Sequence, residues 1–147
     1  MLKLKKRSEK LQLGFSIPLH IYPCDILFSF RQDDAELSRM LKDKGAPQSA
    51  IDEELHKWTP NCGARFVFYN NGVGLVRMNC IPTTPLQISH LAHEIFHIVV
   101  HVMNWVGVRL ELEKSEEAYA YLTSYLTEEV YKLLLPHYET IKVPKRK

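Results

Sequence analysis

The chain reads as an α+β fold, a small antiparallel sheet from the first half followed by two long helices, in one domain over residues 1–147 with a basic tail at about 140–147. Three observations carry that reading. β-branched and aromatic residues crowd two early stretches, "FSIPLHIYPCDILFSF" and "ARFVFYNNGVGLVRMNC". Helical periodicity with good end signals then runs through residues 85–105 and again after Ser115. No repeat, low-complexity tract or linker divides the 147 residues, whose 46% apolar content suffices for one core.

Taken in order, Phe15 to Phe30 is extended, and Pro18 and Pro23 confine it to edge or interrupted strands because proline cannot donate to a ladder. A helix then starts at Asp33 or Asp34. "DDAELSRMLKDKG" carries acids in its first turn, lysines in its last and Gly45 as a stop, matching the helix dipole. "QSAIDEELHKW" reads as a second short helix after Pro47. The run 65–78 is a hairpin whose turn, Asn70, Asn71 and Gly72, uses residues that tolerate positive φ.

"TTPLQ" opens the next helix, with Thr84 as N-cap, Pro85 at the first helical position and Gln87 completing a capping box. That helix extends from about Pro85 to Trp105 and stops near Gly107. "VRLELE" alternates as a short strand or extended connector. Ser115 caps the last helix, "EEAYAYLTSYLTEEVYKLLL", and Pro136 ends it.

Charge and cysteine usage narrow the function classes. With 19 Lys and Arg against 17 Asp and Glu the net charge is +2, far from the concentrated basic surface of a nucleic-acid binder. The only basic runs, "KLKKR" and "KVPKRK", are terminal and read as solvated tails. Cys24, Cys62 and Cys80 are odd in number and lack C-x-x-C spacing, so the chain is expected to work reduced, in the cytoplasm. No apolar signal region forms near the start. Histidines and Glu94 within Leu91–Val108 make membrane burial of that stretch costly.

The 85–105 helix holds the unusual chemistry. At roughly 100° per residue, Gln87, His90, His93, Glu94, His97, His101 and Asn104 fall within about a third of the circumference, and apolar residues cover the rest. The helix is therefore expected to be largely buried apart from one polar seam. Solvated faces usually carry Lys, Arg and Glu; this one carries four imidazoles, one carboxylate and two amides. Within it "HEIFH" forms H-E-x-x-H. Residues four apart stack one turn above the other, so His93 and His97 can reach one Zn²⁺ while Glu94 approaches a water on that ion. This is the arrangement of metal-assisted hydrolysis, in which the ion polarises a carbonyl and the carboxylate takes a proton.

A catalytic zinc needs a third protein ligand. Glu116 and Glu117, 19 and 20 positions after His97 at the start of the last helix, both qualify; Glu111 and Glu113 lie on the connector. His101 would continue the same seam, but three successive ligands along one straight helix strain a tetrahedron. Tyr119, Tyr121, His90 and His101 are the candidate donors to a transition-state oxyanion.

"HEIFH" followed by "SEEAYAY" resembles the gluzincin zinc metallopeptidases, particularly compact bacterial and phage-borne members. The resemblance covers about residues 84–135. It implies a zincin-like fold, His93 and His97 as zinc ligands, Glu94 as general base and acid, and Glu117 as third ligand because its spacing to Ala120 gives E-x-x-A. It also implies a peptide or protein substrate accepted as an added strand on a sheet edge, for which the 65–78 hairpin is the candidate. No Asp follows either glutamate by four residues, so the aspartate that supports a histidine in thermolysin-like members is missing. Val100 and Met103 stand where the metzincin branch needs Gly and His, which excludes it. The alternative function is a non-catalytic zinc-containing binding or regulatory module on the same scaffold; a general base such as Glu94 has no use there.

Overall fold

The structure, a computed structural model, describes residues 11–59 and 63–138. Both terminal basic runs and Cys62 lie outside the described residues. The order of elements is β1 (Leu13–Leu19), β2 (Cys24–Phe30), α1 (Asp34–Asp43), α2 (Gln48–Lys57), β3 (Ala64–Phe68), β4 (Val73–Met78), α3 (Pro85–Trp105) and α4 (Glu116–Tyr138). The class is α+β, but the four strands form a mixed sheet in the order β1-β2-β4-β3, not the antiparallel one expected.

Two antiparallel hairpins, β1β2 and β3β4, meet along a parallel β2–β4 seam, with Phe28 opposite Val76. Between β2 and β3 the chain spends its length on α1 and α2, and this crossover returns β4 parallel to β2. The inner strands are buried on both faces. Ile26, Phe28, Phe30, Val76 and Met78 turn toward α3 and α4, whereas Leu27, Val73 and Leu75 meet Leu37, Leu41 and Ile51 of α1 and α2. The sheet is thus the middle of three layers. β1 and β3 are its edges. Pro18 sits in edge strand β1 as expected, but the second half of the early stretch, β2, is an inner strand because Pro23 falls in the turn that precedes it.

Local end signals explain the helices. Asp33 caps α1 by accepting from the Glu36 N–H at 2.9 Å, and Gly45 follows at φ +80°. In the β3β4 turn only Gly72 takes positive φ; a Cβ there would stand 2.6 Å from the Pro23 carbonyl oxygen, so glycine serves both the turn and the packing. Thr84 and Gln87 make the capping box of α3, and Gly107 at φ +78° ends it.

Of the strand and connector readings of "VRLELE" the connector holds, and two other sequence expectations change. Residues 108–113 make a connector without a strand. Ser115 keeps the N-cap place, its carbonyl accepting from the Ala118 and Tyr119 N–H groups, but its hydroxyl donates to the Arg109 carbonyl and accepts from the Glu111 N–H at 2.8 Å, closing the connector instead of bonding the helix start. Pro136 lies inside α4, whose end is held where the Tyr138 hydroxyl donates to the Pro82 carbonyl at 2.6 Å. α3 is also less enclosed than its composition implies, since Phe96 is 56% and Trp105 44% exposed. No helix among the described residues is long and apolar enough to cross a membrane.

Candidate functional site

The long apolar face of α3, Leu91, Ile95, Ile98, Val99, Val102 and Met103, docks on the sheet and α4 and so fixes the rotation of the helix. The histidine seam consequently turns toward the open edge at β3. Gly63 lies against His90, Phe66 stacks parallel to His97 at 6.4 Å between centroids, and Phe68 meets Trp105 at 5.5 Å. Helix and edge strand therefore run side by side in the same direction.

At the centre of the seam the Nε2 atoms of His93 and His97 face each other at 3.0 Å. Two ring nitrogens bound tetrahedrally to one zinc ion at about 2.0–2.1 Å would stand about 3.3 Å apart, so the pair needs to open by only a few tenths of an ångström. Glu94 lies beside them on the inward side of the helix and is 7% exposed. Burial raises its pKa, while His93, His97 and His90 pull it down. Such a carboxylate holds a proton more firmly than an exposed one, as an acid–base group should.

A cleft of about 320 Å³ joins these groups to the strand edge; Glu94, His97 and His101 form its helix side and residues 65–68 of β3 its other wall. Tyr69 N–H donates to the Val73 carbonyl. By the alternation of an antiparallel ladder, residues 65 and 67 also turn their main-chain groups inward, and Phe66 and Phe68 turn theirs to the open edge. No protein-family model, curated protein or solved structure matches this chain. The site therefore rests on its own geometry.

That geometry gathers some of the expected residues and leaves others apart. His93, Glu94 and His97 come together. Glu116 and Glu117 are exposed in the first turn of α4, and among the described residues no three His, Cys, Asp or Glu side chains converge as a metal-holding group. The reason is the level at which α4 begins. The Tyr119 hydroxyl donates to the Val108 carbonyl at 2.8 Å, beyond the C-terminal end of α3. At roughly 1.5 Å per residue His97 lies about 12 Å before that end.

The oxyanion candidates also separate. Tyr119 is committed to Val108. Tyr121 lines a larger hollow of about 640 Å³ at the opposite sheet edge, between the β1β2 turn and α4; its walls are mostly apolar and hold no paired titratable groups. Only His101 lines the cleft. Phe66 and Phe68, absent from the sequence-level candidates, form much of its wall; their i, i+2 spacing in "ARFVF" marked a shared face without saying which helix it would meet.

Proposed function

We propose that the chain is a zinc-dependent metallopeptidase of zincin-like architecture, working in a reducing, cytoplasmic setting. The observation that carries this reading is the convergence of His93 Nε2 and His97 Nε2 at 3.0 Å beside the buried Glu94. A zinc ion held there would supply Lewis acidity toward a scissile carbonyl and a bound water. His93 and His97 would hold the ion. Glu94 takes a proton from the attacking water and delivers it to the leaving amine. Glu117, in the first turn of α4, would be the third ligand in this reading. A peptide substrate lies along β3 as an added strand, bonded to the outward main-chain groups of Phe66 and Phe68.

Zinc analysis of purified protein, combined with cleavage of a peptide library, tests the reading. One zinc per chain is expected, lost in His93→Ala and in His97→Ala. Glu94→Gln should keep the zinc and lose hydrolysis. A wild-type chain without stoichiometric zinc overturns the assignment. Zinc retention without cleavage of any peptide would favour the non-catalytic binding module.

A further inference from the structure

Of the polar residues that line the cleft, Arg65 is paired with Glu54, Glu94 and His97 belong to the proposed reaction, and His101 remains. Its Nδ1 lies 2.8 Å from the main-chain oxygen of His97. A carbonyl oxygen only accepts, so Nδ1 carries the ring proton, and in the neutral imidazole Nε2 presents a lone pair. Phe66 meets the ring edge-on at 5.0 Å between centroids and Phe68 lies at 6.1 Å, so packing fixes its direction. The same ring lines the cleft beside Glu94 and His97.

Strand geometry decides what reaches that lone pair. The side chains of Phe66 and Phe68 project into the α3 layer, and a strand added beside β3 sends every second side chain into the same layer. Two residues along a strand advance roughly 6.7 Å, close to the roughly 6 Å rise of the four helical residues from His97 to His101. The residue facing His101 is therefore two removed from the one facing His97. A hydrogen-bond acceptor fixed at that place favours a side chain that donates.

We infer that His101 is a specificity-determining residue, selecting a substrate whose side chain two residues from the cleaved bond donates a hydrogen bond through a hydroxyl or amide. This rests on the peptidase reading for the position of the bond, and on the cleft alone for the preference.

The test uses end-blocked decapeptides of randomised sequence with the full-length, zinc-loaded protein. The best-cleaved peptide is resynthesised with Thr or Val, and with Ser or Ala, at each position in turn. At one position two residues from the cut, kcat/KM should favour Thr over Val by about five- to tenfold, the discrimination of one neutral hydrogen bond. His101→Phe keeps an aromatic ring between Phe66 and Phe68 but removes the acceptor; it should keep its zinc and lose the discrimination. His101→Gln, which retains an acceptor, should recover part of it. The same peptide pairs are also read by equilibrium binding to the zinc-loaded Glu94→Gln protein. Discrimination in binding that depends on His101, without cleavage by the wild type, would overturn the peptidase reading and keep this inference. Equal use of Thr and Val everywhere, or a preference unchanged in His101→Phe, overturns the inference while leaving hydrolysis intact. Neither cleavage nor binding of any peptide overturns both.

Discussion

The hydroxyl of Tyr119 donates to the main-chain carbonyl of Val108 over 2.8 Å, tying the first turn of α4 to the connector just past the end of α3. Ala118 and Glu117 precede that tyrosine, so the contact governs where the proposed third ligand stands. Tyr119→Phe leaves the ring in place and strands a carbonyl. It should lower unfolding free energy by about 1 kcal/mol. Tyr121→Phe, at a 73% exposed ring, should stay within about 0.5 kcal/mol of wild type. Urea unfolding of the three proteins makes the comparison; equal losses would place no weight on the Tyr119 contact.

Glu116 and Glu117 share one exposed turn, and only their order along the helix separates them. Zinc titration of Glu117→Gln should show affinity weakened at least about tenfold, the scale of losing a metal-supporting group. Glu116→Gln should bind as wild type does. The reverse result would make Glu116 the ligand. No change in either variant would leave the histidine pair without a carboxylate from α4 and refute that part of the assignment.

Burial divides the phenylalanines sharply. Phe28 is fully enclosed, stacked between Phe15 at 5.5 Å and Phe30 at 6.3 Å, whereas Phe96 is 56% exposed on α3. Phe28→Ala should cost about 3–5 kcal/mol, enough to unfold much of a domain of ordinary stability. Phe96→Ala should cost under about 1 kcal/mol. Thermal melts followed by circular dichroism would show the contrast, and similar melting points for the two variants would contradict the packing described.

Two tyrosines make stability fall at high pH. Burial pushes the phenols of Tyr69 and Tyr138 up to about 12 from an ordinary value of 10.0. The folded chain then keeps protons that the unfolded chain has already released. Their contribution is complete below pH 10 and is lost as the pH rises through 12. Melting temperature should drop over that window, less steeply in Tyr69→Phe and in Tyr138→Phe, with the absorbance of the phenolate appearing late in the native protein. An unchanged slope in both variants would assign the loss to other groups.

Much of the local structure was legible in the residues themselves. Asp33, Thr84 and Gln87 mark helix starts through side chains that satisfy nearby N–H groups, and Gly72 marks a turn because its backbone takes positive φ. The hairpin 65–78 and the helix Pro85–Trp105 follow from such short-range rules. Expectations failed where a distant partner outweighed a local preference. Pro136 stays helical in a terminus anchored through Tyr138 to Pro82, and Ser115, though placed at the N-cap, turns its hydroxyl back to the connector. Phe96 and Trp105 remain partly open because the sheet and α4 cover only part of the apolar arc.

By itself the sequence determined that His93 and His97 share one helical face with Glu94 beside them, because a spacing of four residues is nearly one turn wherever the helix lies. Only the tertiary structure decided that this face opens onto β3, that Phe66 and Phe68 wall the cleft, and that α4 enters at the level of Val108. Strand order, the parallel β2–β4 seam and the docking of α3 arise from burying both faces of one sheet at once. That condition couples residues dozens of positions apart, beyond the reach of any local spacing rule.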